Sequence, residues 1–325
     1  MKSLPHYWDS INPLSILLLP VSGLFCLLAK LRALFYKKGW LASYRAPLPV
    51  IVVGNINVGG TGKTPLIIEL AKQLQACGHK PGIISRGYGG NASSWPQQVT
   101  AESTAQQVGD EPVLIFQRSG CPMVVGPNRR ADIELLLQQA DCDVILSDDG
   151  MQHYALQRDL EIAVIDAQRQ LGNGFCLPSG PLRETAARLL TVDLVLLNGG
   201  DSAQCSFRLA AGACEPAGQT DLRSRELSEF KNSRVHAIAG IGHPQRFFSM
   251  LQQNGIEVIP HAFADHYAYQ LADLQFDDQL PVLMTEKDAV KCREFTLSRH
   301  WSVPISAELS TVAQQQLDQL LNSLL

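Results

Sequence analysis

A glycine-rich loop between an apolar strand and an amphipathic helix is the feature that most constrains this fold. β-Branched residues run from Val50 to Val53, and a helical pattern with Leu66, Leu70 and Leu74 on one face follows the loop. Glycines allow backbone N–H groups to converge on an anion, and the helix N-terminus adds partial positive charge. The order of strand, loop and helix therefore predicts a polyphosphate site of the P-loop type.

The residues of this loop indicate which groups would hold a nucleotide. Lys63 can reach the outer phosphates, so we predict a catalytic role for it, and the hydroxyl of Thr64 can bind Mg²⁺. Asn57 departs from the strict pattern G-x-x-x-x-G-K-[ST], which has glycine there. We expect it to be accepted because asparagine tolerates left-handed backbone better than most residues. The predicted ATP-binding residues are Asn57, Val58, Gly59, Gly60, Thr61, Gly62, Lys63 and Thr64.

An apolar strand that ends in two carboxylates is the expected partner of the P-loop. The run from Val144 to Leu146 is typical of a buried strand and leads through Ser147 into Asp148 and Asp149. In P-loop enzymes such acids lie beside Mg²⁺ or its water shell. We therefore predict that the metal ligands are Thr64, Asp148 and Asp149. A structural pair of acids at a strand end is the alternative.

Two further loops carry residues suited to a phosphorylated or sugar ligand. Arg86 and Tyr88 lie among glycines directly after a predicted strand, at the edge where open α/β sheets bind ligands. Asp110 and Glu111 form a turn before an apolar helix. A mobile glycine loop and a solvent-exposed turn are the respective alternatives.

Strands alternate with helices along the chain, which predicts an α/β fold with a mostly parallel, P-loop NTPase-like sheet flanked by helices. The length of 325 residues suits two domains. We predict a membrane-associating helical segment at 1–40, a P-loop domain at 41–200, a connecting segment at 201–233 and a smaller α/β lobe at 234–325. The net charge of −4 gives no support for a nucleic-acid partner. The eight cysteines lack metal-site spacing and are typical of free thiols in a reducing compartment.

The N-terminal region contains an almost uninterrupted apolar run from Leu14 to Ala29, followed by the cations Lys30, Arg32, Lys37 and Lys38. As a helix, about 16 residues would reach roughly 24 Å, less than the roughly 30 Å of a bilayer's hydrocarbon core. We expect a membrane-inserted or interfacial helix whose cations face anionic lipid. A full span, a core helix and a signal peptide are the alternatives.

Eight motifs in fixed order resemble the tetraacyldisaccharide 4′-kinase family, the lipid A 4′-kinases. They read GNINVGGTGKTP, SRGYGG, VGDEP, SDDGMQH, PSGPLRE, GIGHPQRFF, ADHYAY and TEKDAVK. The resemblance covers nearly the whole chain. It implies transfer of the γ-phosphate of ATP, with Mg²⁺, to the 4′-hydroxyl of a tetraacyl glucosamine disaccharide 1-phosphate, giving lipid IVA. It also implies two α/β/α lobes with the active site in the cleft between them.

The resemblance further implies roles for residues that the P-loop pattern does not reach. Asp110 would accept the proton of the sugar hydroxyl, with His266 as its partner. Family members often read DHH where this chain has Asp265, His266 and Tyr267. The predicted substrate contacts are Arg86, Tyr88, Glu111, Arg183 and Glu184.

The expected partners are the lipid disaccharide and the inner-membrane surface, with no obligate protein partner. The protein would be peripheral or monotopic on the cytoplasmic face of the inner membrane. Two other classes fit a P-loop with paired aspartates, a small-molecule ligase and a membrane-tethered nucleotide switch. A ligase leaves the apolar N-terminus unexplained. For a guanine-dependent switch, the nearest approach to [NT]-K-x-D is Asn198-Gly199-Gly200-Asp201, which lacks the lysine.

Overall fold

The computed structural model describes residues 7–218, 221–295 and 297–325. The helices are α1 (Pro13–Leu17), α2 (Leu19–Lys37), α3 (Lys63–Ala76), α4 (Ala105–Val108), α5 (Asp110–Ser119), α6 (Arg129–Gln139), α7 (Pro244–Gln253), α8 (Glu286–Lys291) and α9 (Thr311–Leu324). The strands are β1 (Val50–Gly54), β2 (Pro81–Ser85), β3 (Gln97–Val99), β4 (Met123–Val125), β5 (Val144–Asp148), β6 (Leu160–Asp166), β7 (Leu194–Asn198), β8 (Ser206–Ala211), β9 (Glu215–Pro216), β10 (Arg234–Ala239), β11 (Glu257–Ala262), β12 (Val282–Thr285), β13 (His300–Val303) and β14 (Ile305–Leu309).

The chain forms two compact units, each built from separate stretches of sequence. The first unit contains the described residues up to Arg86 together with Gly126–Leu209 and Ala307–Leu325, and the second contains Gly87–Val125 and Ala210–Ser306. This division differs from the contiguous boundaries predicted from the sequence, because 87–125 belongs to the second unit and 307–325 to the first. The unit to which a segment belongs depends on its tertiary contacts, and these cannot be read from the local composition of the sequence.

The sheet of the first unit places the P-loop strand in its interior. Its strand order is β14–β8–β7–β6–β1–β5–β2, and the pairs from β8 to β2 are parallel. All residues of β1, β5 and β6 are buried. Helix α3 buries Leu66, Leu70 and Leu74, the face that the sequence pattern predicts. The ends of β1 and β5 therefore meet at the carboxyl edge, where parallel sheets bind ligands.

The second unit contains a smaller, mostly parallel sheet. Its order is β11–β10–β12–β13–β9, in which only β9 pairs antiparallel, with β13. Strands β3 and β4 of this unit pair antiparallel with each other. Phe230, Phe247, Phe248 and Trp301 dominate the core on which α7 packs. The predicted fold class, a large parallel sheet with a smaller α/β lobe and an apolar N-terminal helix, is confirmed.

Helix α2 presents its apolar side chains to solvent. Leu24, Leu27 and Leu28 are each more than half exposed, whereas the buried residue of this helix is Ser22. The Ser22 hydroxyl donates a hydrogen bond of 2.8 Å to the carbonyl of Cys176, and the indole N–H of Trp8 donates to Pro178 at 3.1 Å. Helix α2 is long and apolar enough to cross a membrane by length and composition alone, a property that core helices and signal sequences share.

Candidate active site

Gly62 is the position of the P-loop at which a side chain would force neighbouring atoms to move. Gly62 immediately precedes α3 with a φ of 92°, and a Cβ at this position would lie 2.5 Å from Nδ2 of Asn198. That same amide donates to the carbonyl of Thr61 at 3.0 Å. Gly59 and Gly60, at the tip of the loop, are exposed to solvent. Asn198 therefore supports the loop from β7, a role that its sequence context did not indicate.

Asn57 makes side-chain and backbone contacts at the start of the P-loop instead of supplying the predicted left-handed backbone. It is not among the residues with positive φ, so it does not use the left-handed backbone that we expected. Its side chain is buried and donates to the carbonyl of Gln170 at 2.7 Å, and its backbone forms a β-bridge with Leu182. Asn57 thus fastens the start of the P-loop to the loop that carries Arg183 and Glu184.

Lys63 begins α3 and lies beside the second carboxylate of the β5 motif. Its Nζ is 3.4 Å from Oδ1 of Asp149, and Arg183 approaches the other oxygen of Asp149 at 2.9 Å. Burial would raise the pKa of Asp149, but the charges of Lys63 and Arg183 outweigh burial and lower its pKa to about 2. Three predicted site residues from three separate segments therefore meet here, and Asp149 stays ionised.

Asp148 is more buried than Asp149 and has different partners. Its Oδ2 accepts a hydrogen bond of 2.9 Å from the hydroxyl of Ser85, and its backbone carbonyl accepts one of 3.4 Å from Arg129. Thr64 follows Lys63 in the first turn of α3. No group of three or more His, Cys, Asp or Glu side chains suited to a metal is found in the described parts of the chain. Mg²⁺ needs only one or two carboxylates when phosphate and water complete its shell, so this donor set remains compatible with it.

Gln152 connects the β5 loop to the loop of Arg183 and Glu184. Its amide N–H₂ donates to Glu184 at 2.9 Å and to the carbonyl of Asn55 at 3.0 Å, while its oxygen accepts from Arg183 at 3.3 Å. The hydroxyl of Tyr154 also donates to Glu184, and burial and the Glu184 carboxylate raise the pKa of this phenol to about 12. These hydrogen bonds hold Arg183 and Glu184, two of the predicted substrate residues, against the loop that follows β5.

His153 lies in the same loop and has an unusual environment for a histidine. Burial, followed by the charges of Arg129, Arg158, Arg32 and Arg86, lowers the pKa of His153 to about 4. The imidazole is therefore neutral at pH 7. Of the two causes, only the arginine charges would also favour an anionic ligand, since burial disfavours charge of either sign.

The depressed pKa of His153 predicts a loss of stability in acid. The unfolded chain binds a proton at this residue near pH 6.5, whereas the folded chain does so only near pH 4. Acid therefore favours unfolding between these values. Allowing for solvent screening, we expect roughly 1 kcal/mol of stability to be lost through this group from pH 7 to pH 5. Urea unfolding at both pH values should show that the free energy of unfolding of His153→Gln falls by about 1 kcal/mol less than that of the wild type. Identical pH dependence in both proteins would contradict a lowered pKa of His153.

In the second unit, the structure brings Asp110 and His266 together. Nδ1 of His266 lies 2.9 Å from Oδ2 of Asp110, and because an ionised carboxylate only accepts, this nitrogen carries the hydrogen. Asp110 is almost fully buried at the N-terminus of α5, where the helix dipole favours negative charge. His266 adopts a φ of 58°, a conformation that a residue other than glycine holds only at a cost.

Tyr267 stands where the sequence departs from the DHH pattern. Tyr267 packs its ring against Phe263 and Tyr269, so the side chain after His266 belongs to an aromatic cluster. The ring of Tyr88, which is 70% exposed, lies 5.4 Å from the ring of His266. Among the predicted substrate residues, Tyr88 thus accompanies the Asp110–His266 pair, whereas Arg86 is exposed at the end of β2 in the first unit.

Lys287, which the sequence patterns did not identify as a site residue, contacts three acids of the second unit. Its Nζ lies 3.2 Å from Glu111, 3.1 Å from Asp265 and 3.9 Å from Asp110. The residue belongs to the TEKDAVK motif, which we used only as part of a resemblance. A lysine two residues after a buried strand was the available signal.

The P-loop follows an interior parallel strand and contains a lysine, and paired aspartates lie at the end of the adjacent strand. These features define the class of P-loop nucleotide-binding proteins. The model of the tetraacyldisaccharide-1-P 4′-kinase family matches residues 14–324. The chain therefore belongs to this family, as the resemblance of its motifs indicated.

Relatives of this chain carry the same family name. It is 50% identical over 316 residues to the tetraacyldisaccharide 4′-kinase of Nitrosococcus oceani, covering 97% of this chain and 93% of the relative. It is 47% identical over 322 residues to that of Alkalilimnicola ehrlichii, covering 98% and 96%. Among solved structures it resembles LpxK from Aquifex aeolicus in complex with ATP, with a TM-score of 0.78, 27% identity and coverage of 96% of this chain and 99% of that one.

Proposed function

We infer that this protein is an ATP-dependent kinase of lipid A biosynthesis, which transfers the γ-phosphate to the 4′-hydroxyl of a tetraacyl glucosamine disaccharide 1-phosphate to form lipid IVA. The observation that carries the inference is the family match over residues 14–324. The P-loop and the buried carboxylate–imidazole pair give this assignment a chemical basis, since one suits the phosphate donor and the other the hydroxyl acceptor.

The first unit would bind and neutralise the phosphates. Backbone amides of residues 57–64 and the ammonium of Lys63 would hold the β- and γ-phosphates of ATP. Thr64, Asp148 and Asp149 would hold Mg²⁺, which when bound offsets negative charge on the phosphate oxygens. Arg183 would keep Asp149 oriented through the 2.9 Å contact.

The second unit would remove the proton from the sugar hydroxyl. Asp110 is the proposed acceptor, and the N–H of His266 holds its carboxylate in place. Tyr88 and Glu111 are proposed to contact the sugar there. In the first unit, Arg86, Arg183 and Glu184 are proposed to contact the polar groups of the substrate, since an arginine recognises phosphate well.

We propose that α2 holds the protein on the cytoplasmic face of the inner membrane as a monotopic helix. Its leucines face outward while Ser22 and Trp8 fasten the N-terminal region to the rest of the first unit. A helix with these exposed leucines places apolar surface in contact with water, which is unfavourable, and lipid would cover that surface. The acyl chains keep the substrate in the same surface, so both partners would meet at a high effective concentration.

The exposed face of α2 allows a test that leaves its contacts with the first unit intact. We expect the double variant Leu24→Glu, Leu28→Glu to bind anionic vesicles at least about tenfold more weakly, because each leucine moved into lipid is worth roughly 1.5–3 kcal/mol. Activity on bilayer substrate should fall with it, while activity on detergent-dispersed substrate changes little. Leu209→Glu, a substitution at an exposed leucine outside the helix, is the matched control. Equal losses in both formats would assign α2 a structural role instead.

The function itself is tested by transfer of labelled γ-phosphate from Mg-ATP to the detergent-dispersed tetraacyldisaccharide 1-phosphate, with a reaction lacking lipid as control. Label on the lipid, at the 4′ position, is the expected result. Hydrolysis of ATP by folded protein without labelled lipid would overturn the kinase assignment and favour a nucleotide switch.

A further inference from the structure

We propose that Lys287 is a positioning residue of the phosphoryl-transfer site: its ammonium neutralises Asp110, Glu111 and Asp265, keeps Asp110 in the ionised form that accepts a proton, and ties the His266 loop to α5. This inference rests on the proposed kinase function and goes beyond it, because it assigns a role to a residue outside the predicted base pair.

The geometry of the cluster supports a single shared cation. Lys287 is 15% exposed, and its Nζ lies within 4 Å of all three carboxylates. Asp110 and Glu111 come from α5, and Asp265 comes from the segment after β11, next to His266. Three acids so close together would repel one another without a cation among them. Burial would lower the pKa of Lys287, but the charges of Glu111, Asp110 and Asp265 raise it above the usual value for lysine.

The other charged groups near Lys287 have partners of their own. On α8, Glu286 pairs with Arg118, and Asp288 pairs with Lys291 at 2.8 Å. Helix α4, which also packs against α8, contains no titratable side chain. His300, on the neighbouring strand β13, contacts the carbonyl of Leu274 instead. Among the described residues on elements packed against α8, the titratable groups that face the ammonium are therefore the three acids, together with His266, whose ring contacts Asp110.

The location of Lys287 separates this role from a purely structural one. Lys291 lies one turn further along the same helix, is also buried, and pairs with Asp288, which accepts hydrogen bonds from Gly240 and Tyr269. Both lysines balance buried charge, but only Lys287 touches the proposed proton acceptor. Lys291→Met is consequently a matched control for the loss of a buried cation from α8.

The decisive experiment is the pH profile of kcat/KM for phosphate transfer to detergent-dispersed substrate. Without the ammonium, the carboxylates gain protons more readily, so the acid limb of Lys287→Met should move upward by about one pH unit. Because a shift of one pH unit changes the ionised fraction by at most about tenfold, we expect the loss of activity to approach about tenfold on the acid side of the profile and to be small on its plateau. Lys287→Arg, which keeps the charge, should keep the wild-type acid limb. Lys291→Met should lower stability and leave the acid limb unchanged.

A second neutral variant protects the test against misfolding. Lys287→Gln retains N–H donors for Asp265 and Glu111, so a shifted acid limb in this variant separates the role of charge from that of hydrogen bonding. In the wild-type protein, NMR of labelled lysine, assigned with Lys287→Arg, should show the Lys287 ammonium titrating above the usual lysine range. A folded neutral variant with the wild-type acid limb, or a Lys287 that titrates at or below the usual lysine value, would overturn the proposal. Absence of lipid phosphorylation by the wild-type protein would overturn the proposed function instead.

Discussion

Replacing Asp110 by asparagine is expected to lower kcat for lipid phosphorylation by about 10²–10⁴-fold, the usual contribution of general-base catalysis. Asparagine has nearly the same shape as aspartate and can still face His266, but it cannot accept the proton of the 4′-hydroxyl. Asp110 is not one of the residues proposed to hold ATP, so we expect ATP binding to be retained.

The measurement pairs single-turnover transfer with titration of a fluorescent ATP analogue. Asp277→Asn alters an exposed carboxylate of the same unit and is the control for a change of charge alone. Turnover by Asp110→Asn within about threefold of wild type would remove Asp110 from the mechanism and direct attention to Glu111.

Replacing Lys63 by methionine is expected to impair both the affinity for ATP and the chemical step, with a loss in kcat of about 10²–10³-fold, as for other single groups that stabilise charge in the transition state. Methionine preserves most of the length of the side chain and removes the cation that faces Asp149 at 3.4 Å. Because Asp149 keeps its contact with Arg183, we expect the fold to survive.

Helix α3 provides a matched control for this change. Lys72 lies on the exposed face of the same helix, and Lys72→Met should behave as wild type. The two variants should therefore differ in ATP binding. Lys63→Met should bind ATP more weakly, whereas Asp110→Asn should retain ATP binding and lose turnover. A Lys63→Met protein with normal KM for ATP and normal kcat would contradict the P-loop assignment.

The N-terminal helix shows why composition alone left its role open. The sequence favours a membrane-inserted or interfacial helix, but a core helix and a signal peptide stay open because all three place leucines away from water. The structure argues against a core helix through the side chains that face the protein. In α2, Ser22 is buried and the leucines are exposed, the reverse of a core helix, and this reversal motivates the proposed contact with lipid.

The sequence by itself determined the elements whose information is local. The strand β1, the glycine loop and the helix α3 are contiguous, and their glycines and apolar spacing act within a few residues. The same holds for β5 and the aspartates at its end. Parallel pairing then brings Asp149 to Lys63, because the carboxyl ends of neighbouring parallel strands lie at one edge.

Only the tertiary structure decided which distant residues share an environment. Asp110 and His266 are 156 residues apart in sequence, and their pairing was foreseen only through family resemblance. The contacts of Lys287, the buried amide of Asn57 and the division into discontinuous units had no local signature. The physical reason is that a charge responds to every group within a few ångströms, whatever its position in the chain, whereas a sequence pattern reports only on neighbours along the backbone.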